Sequence, residues 1–212
     1  MNEQIIYLHG FASGPSSRKA RHFRERFDEA GSRIQVPDLS EGDFEHLTIS
    51  GQVRVIERLA AGGPVVLIGS SMGGYLASLY AARHPEVRRV VLLAPAFGFA
   101  RRWTETLEPA QLEEWKRTGW LSLYHYAEQR QRRVHYGLIA DGLQYENYPD
   151  VRQPALVYHG RNDMVVPHEY SIEFAKLRPS VRLELLESDH ELADVLDAMW
   201  AGVRGFLLEE AK

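Results

Sequence analysis

Six short runs rich in valine, isoleucine and leucine recur along the chain: Ile5–Leu8, Arg33–Val36, Val65–Ile68, Val90–Leu93, Ala155–Tyr158 and Val181–Leu186. A short apolar run has no polar side to offer water, so each predicts a strand covered on both faces. The longer, more polar stretches between them read as helices. Ser17–Gly31 begins after Pro15-Ser16 and stops at a glycine; Phe44–Ala61 runs into Gly62-Gly63-Pro64. Met72–His84 ends before Pro85, and Glu191–Glu210 is the last of them. Strand alternating with helix, joined by right-handed crossovers, predicts an α/β fold: an open, mainly parallel sheet with helices on both faces. Such sheets carry their sites at the carboxyl ends of the strands.

One connection breaks the rhythm. Between Gly98 and Pro149 roughly fifty residues separate two strands, far more than the usual connection needs beyond its helix. The segment holds Trp103, Trp115 and Trp120, three of the four tryptophans. It also holds Tyr124, Tyr126, Tyr136, Tyr145 and Tyr148, half of the ten tyrosines. An aromatic insertion at the carboxyl edge reads as a lid, with Trp103, Trp115 and Trp120 as candidate walls of a substrate pocket. The plainer alternative is that most of these rings form the lid's own small core.

Composition removes several classes of function. The 25 Lys and Arg against 29 Asp and Glu leave a net charge of −4 without a basic block, which argues against nucleic acid as the main partner. No apolar run reaches the ~18 residues of a spanning helix, so no membrane span is expected. With no cysteine, disulfides, thiolate-bound zinc and thiol catalysis are excluded together. Neither a His-x-x-x-His pair nor a clustered carboxylate set is present, so neither metal nor cofactor is expected. Met1-Asn2-Glu3-Gln4 leads straight into the first apolar run with no basic stretch or cleavage site, so the expected address is cytoplasmic.

The strongest local signal follows the run Val65–Ile68. Gly69-Ser70-Ser71-Met72-Gly73-Gly74 has the form G-x-S-x-G between a strand and a helix. A serine raised on so tight a turn needs small neighbours on either side. Ser71 is therefore the candidate nucleophile, with the backbone N–H of Met72 and the following helix dipole placed to meet developing negative charge. Ser70 reads as structural. A serine nucleophile needs a base and a group that orients the base. His190, in Ser188-Asp189-His190-Glu191 after the last strand, is the candidate base. Asp163, just past Ala155–Tyr158, is the first candidate acid and Asp189 the second. His159 reads as a residue that shapes its loop. The loop His9-Gly10-Phe11 after the first strand supplies a second oxyanion donor, the backbone N–H of Phe11, with His9 bracing the loop.

Taken together, His9-Gly10-Phe11, Gly69-Ser70-Ser71-Met72-Gly73, Gly160-x-x-Asp163-x-x-Val166-Pro167 and Asp189-His190 resemble the α/β-hydrolase superfamily. The opening Tyr7-Leu8-His9-Gly10-Phe11-x-Ser13-x-Pro15-x-Ser17-x-Lys19-Ala20 is similar, more narrowly, to small bacterial esterases of the YqiA/YcfP type. Thr118-Gly119-Trp120 and the run from His159 to Pro167 also resemble the mitochondrial palmitoyl-protein thioesterases and acyl-glucuronide esterases. The resemblance implies one α/β-hydrolase domain over residues 1–212 with a helical lid at about 98–149. Because the chain starts on the strand before His9-Gly10, a minimal sheet of roughly six strands is expected. The implied activity is hydrolysis of a small-molecule ester or acyl thioester through an acyl-enzyme on Ser71.

Two other readings share the scaffold. One is different chemistry with the same residues, such as cofactor-free haloperoxidation or cleavage of a carbon–carbon bond. The other is a non-catalytic ligand-binding protein, whose usual mark, a lost member of the serine–histidine–acid set, is not seen here. Fold alone would license none of these.

Overall fold

The structure, a computed structural model, describes residues 3–176 and 178–208. Six strands form the main sheet: β1 (Gln4–Leu8), β2 (Ile34–Gln35), β3 (Val65–Ser70), β4 (Val87–Leu93), β7 (Ala155–Gly160) and β8 (Val181–Leu186). Their order is β2-β1-β3-β4-β7-β8, and every neighbouring pair is parallel. Helices α1 (Arg18–Glu29), α2 (Ile49–Ala60), α3 (Met72–Ala81), α7 (Glu169–Lys176) and α8 (Leu196–Leu208) connect or follow these strands.

Alternation inside the apolar strands builds two cores. Ile6, Leu8, Val65, Leu67, Val90, Leu92, Ala155 and Val157 face α2, α3 and the insertion. Ile5, Tyr7, Val66, Ile68, Val91, Leu93, Leu156 and Tyr158 face the opposite side, with Phe23 and Phe27 of α1 and Met199 and Val203 of α8. All ten residues of α3 are buried. That explains why this helix lacks the polar stripe an ordinary surface helix keeps.

Several boundaries differ from the sequence expectation, each for a local reason. β2 stops at Gln35, near Pro37, which has no N–H to extend the ladder. The helix expected from Phe44 starts only at Ile49, where the Thr48 hydroxyl caps it by accepting the Gly51 N–H at 2.9 Å. Phe44 and Leu47 turn inward instead, and Phe44 meets the rings of Phe11 and His125 at 5.4 and 4.5 Å. The helix expected from Glu191 starts at Leu196, because the chain first turns through Leu192 at φ 52°. Glu209 and Glu210 of that expected helix, like Met1 and Asn2, lie outside the described residues.

The insertion is not purely helical. After α4 (Phe99–Thr106) and α5 (Pro109–Thr118) come two antiparallel strands, β5 (Trp120–His125) and β6 (Arg130–His135), and then α6 (Gly137–Gly142). The segment Trp120-Leu121-Ser122-Leu123-Tyr124-His125 is rich in strand-forming aromatic residues, and the chain reverses at Gln129 with φ 53°. Among the described residues no helix is long and apolar enough to cross a membrane.

Candidate active site

Ser71 sits between β3 and α3 at φ 53° and ψ −118°, a conformation most side chains avoid. Strain of this kind costs on the order of 1–3 kcal/mol and persists only where the surroundings enforce it. Here the Ser71 N–H donates to the Leu93 carbonyl at 2.9 Å, and the Ser71 carbonyl accepts from Gly74, Tyr75 and Ala96. The flanking glycines are demanded by contact. A Cβ on Gly69 would lie 2.3 Å from the Gly73 carbonyl oxygen, and one on Gly73 would lie 2.1 Å from that of Leu8. The turn is thus wedged against β1, which brings the β1–α1 loop to the serine. A Cβ on Gly10 would stand 3.3 Å from the Ser71 Cβ.

Two loops at the same sheet edge complete the arrangement. The loop after β8 carries His190, whose Nε2 lies 3.0 Å from the Ser71 Oγ. The turn after β7 carries Asp163, whose Oδ2 lies 2.7 Å from the His190 Nδ1. The carboxylate accepts, so Nδ1 holds the proton and Nε2 is left free to accept from the serine hydroxyl. Asp163 Oδ1 accepts the N–H groups of Val165 and Val166 at 2.8 and 2.7 Å. Burial pushes the Asp163 carboxyl pKa up, but the hydrogen bonds from His159 and His190 outweigh it and hold the group well below the usual carboxylate range. Asp189 is turned elsewhere: its Oδ1 accepts the N–H groups of Glu191 and Leu192 and caps its own loop.

The backbone N–H groups of Phe11 and Met72 donate to no acceptor among the described residues. Met72 opens α3, where the first N–H groups of a helix have no partner within it. The loop carrying Phe11 is held by His9. Its Nε2 accepts the Leu39 N–H at 3.2 Å, and its Nδ1 donates to the Gly10 carbonyl at 3.0 Å. Burial lowers the His9 pKa, in keeping with a neutral ring in that role.

Two further residues support the site: sequence reasoning gave His159 a loop-shaping role but not its bond to the acid, and it did not single out Lys19. His159, fully buried at the end of β7, donates from Nε2 to the Val166 carbonyl at 2.8 Å and to Asp163 at 3.0 Å, with the Ser171 hydroxyl 2.7 Å from its Nδ1. The position just before Gly160-x-x-Asp163 placed it on the right loop, but nothing local announced a second histidine on the acid. Lys19 of α1 is almost buried. Its Nζ donates to the carbonyls of Glu191 at 2.8 Å and His190 at 3.4 Å, and Glu191 Oε2 lies at 3.6 Å. It ties the His190 loop to the opposite edge of the sheet.

A cleft of about 1180 Å³ opens in front of Ser71. Phe11, Phe99, Trp103, Leu123, Tyr124 and Val166 supply its apolar lining. Phe11 and Trp103 meet edge to face with centroids 5.4 Å apart. The three tryptophans therefore separate. Trp103 lines the cleft. Trp115 is buried in the core of the insertion, where its Nε1 donates to the Val134 carbonyl at 3.1 Å. Trp120 lies at the base of the hairpin under the Arg133 guanidinium, 4.2 Å away, beside His46 and His135. Neither Trp115 nor Trp120 lines the cleft.

A parallel sheet with a strained serine at the β3–α3 turn, and an acid and a histidine delivered from the ends of β7 and β8, defines an α/β-hydrolase fold. The chain belongs to the family described as Uncharacterised protein family (UPF0227), whose model matches residues 4–206. It is 26% identical over 216 residues to the bovine mitochondrial palmitoyl-protein thioesterase ABHD10, covering 91% of this chain and 68% of that protein. A 2-hydroxy-6-oxononadienedioate/2-hydroxy-6-oxononatrienedioate hydrolase of Burkholderia vietnamiensis is 26% identical, covering 87% of this chain and 79% of the relative. The solved structure of mouse α/β hydrolase domain-containing protein 10 superposes with a TM-score of 0.83 at 22% identity, covering 98% of this chain and 90% of that one.

Proposed function

We propose that this protein is a serine hydrolase that cleaves carboxylic esters or acyl thioesters through an acyl-enzyme on Ser71. The observation that carries the reading is the continuous hydrogen-bond chain from Ser71 Oγ through His190 to Asp163, at 3.0 and 2.7 Å. In this reading His190 accepts the serine proton as Oγ attacks the substrate carbonyl, and the oxyanion is met by the N–H groups of Phe11 and Met72. His190 then returns the proton to the departing alcohol or thiol. Water, activated by the same imidazole, releases the acid. Asp163 stays ionised throughout and stabilises the imidazolium that forms at each step. The name of the bovine relative, a palmitoyl-protein thioesterase, supports an acyl substrate.

The lining of Phe11, Phe99, Trp103 and Leu123 suits an acyl group, which gains about 0.8 kcal/mol per buried methylene. The insertion then acts as a lid, and Trp103 is its contact with the chain. Trp103→Ala is expected to change the preferred acyl length in a series of nitrophenyl esters while acetate turnover falls little. An unaltered profile with a lowered melting temperature would reduce Trp103 to packing.

An organophosphonate probe tests the core of the proposal. It should modify Ser71 stoichiometrically, with loss of ester turnover tracking the modification. Labelling elsewhere, or turnover that survives full labelling, would refute the acyl-enzyme. Hydrolysis of a carbon–carbon bond is the second reading, favoured by the named activity of the Burkholderia relative. A dienedioate substrate cleaved while esters and thioesters are ignored would decide for it.

A further inference from the structure

Four basic residues line the cleft, Arg18, Lys19, Arg21 and Arg102, against two acidic ones, Asp189 and Glu191. In a chain of net charge −4 this is a local reversal of sign. Both acids are already engaged. Asp189 caps its own loop, and Glu191 lies 3.6 Å from the Lys19 Nζ. Lys19 in turn is committed to the carbonyls of His190 and Glu191. Arg18 and Arg21 stand exposed on α1, where water and salt screen them.

Arg102 differs from all of these. It is half-buried on α4, next to Trp103, and has no carboxylate partner among the described residues. One of its Nη groups donates to the Val165 carbonyl, on the turn that carries Asp163, and its guanidinium lies 5.2 Å from the centre of the Tyr170 ring. A guanidinium has five N–H donors, so this leaves most of the fork without an acceptor among the described residues. Burial lowers its pKa, and nearby Tyr170 and Asp163 oppose that only in part. A cation partly stripped of water, with no carboxylate paired to it among the described residues, is stabilised when an anion joins it. Its planar fork matches the two oxygens of a carboxylate or phosphate.

We propose that the cleft selects substrates bearing an anionic oxygen group, a carboxylate or a phosphate, and that Arg102 receives it. The inference rests on the ester-hydrolase reading of the same cleft. It assigns specificity to the substrate's charge as well as to its acyl chain, and it gives the insertion a polar contact beside its apolar wall.

Matched esters test it. On the acyl side, 4-nitrophenyl hemiglutarate is paired with 4-nitrophenyl pentanoate. On the leaving-group side, 4-acetoxybenzoate and 4-acetoxyphenyl phosphate are each paired with 4-methylphenyl acetate. Every kcat/KM is divided by that ester's own rate with hydroxide. The full-length protein is expected to prefer the charged member at least tenfold in one or more pairs, and the pair that responds identifies the anion and its side. Arg102→Gln should reduce that preference at least tenfold, mainly through KM, and Arg102→Lys should retain part of it. If Arg102 merely tethers the Val165 turn, both members of a pair fall together and the ratio stays put, which overturns the proposal. A protein that prefers the neutral ester in every pair overturns it as well, while leaving the hydrolase reading standing. If no ester is cleaved, the hydrolase reading itself fails, and this inference fails with it.

Discussion

Replacing Ser71 by alanine is expected to lower kcat/KM for any ester substrate by about 10⁴- to 10⁶-fold while leaving the fold intact. Alanine keeps the Cβ, so the strain at φ 53° is unchanged, and the backbone bonds to Leu93, Gly74, Tyr75 and Ala96 do not involve the hydroxyl. The substitution removes one contact, the 3.0 Å hydrogen bond to the His190 Nε2. A melting temperature within a few degrees of the parent, measured beside turnover and phosphonate labelling, separates lost chemistry from lost structure. Residual activity above about a tenth of the parent would rule out Ser71 as the nucleophile.

Asp163→Asn should cost about 10³- to 10⁴-fold in kcat. Four N–H donors converge on this side chain: Val165, Val166, His159 and His190. An amide has one oxygen for them. With that oxygen held by the two backbone groups, its NH₂ faces His190 and forces the proton from Nδ1 to Nε2. That tautomer cannot accept from Ser71. Asp189→Asn touches only its own loop and should cost less than about tenfold by the same measure; the reverse ranking would reassign the acid.

The same residue predicts a pH effect on stability. The folded pKa of Asp163 is depressed, so its contribution is complete above the unfolded-chain value of about 3.9 and is lost as pH falls toward the lower folded one. Urea midpoints measured from pH 5 downward should therefore fall more steeply for the parent than for Asp163→Asn. Parallel slopes would mean that the carboxylate is not the group that titrates.

The sheet was legible because its information is local. A run such as Val65–Ile68 predicts a buried strand without reference to anything distant, and alternation within it assigns Leu67 to one core and Ile68 to the other. The serine turn was legible for the same reason. Gly69 and Gly73 lie within a few residues of Ser71, and the contacts that forbid a Cβ there follow from the turn and from the neighbouring strand. The hairpin β5–β6 was less so, since β5 is a short segment with two aromatic rings and β6 is half arginine, and neither commits to a strand until its partner fixes the choice.

Sequence by itself determined the parallel α/β sheet, the strained turn at Ser71 and the sheet edge at which His190 and Asp163 emerge. Strand periodicity, obligatory glycines and chain order encode those through neighbours. Tertiary structure decided which tryptophan reaches the cleft, which histidine backs Asp163, and that Lys19 is tied to the His190 loop while Arg102 has no carboxylate paired to it among the described residues. Each of these depends on contacts between segments far apart in the chain, such as Phe11 with Trp103 or Lys19 with Glu191. Trp103 and Trp115 are both aromatic residues on amphipathic stretches, and only the docking of the insertion onto the sheet gives one a face on the cleft and buries the other.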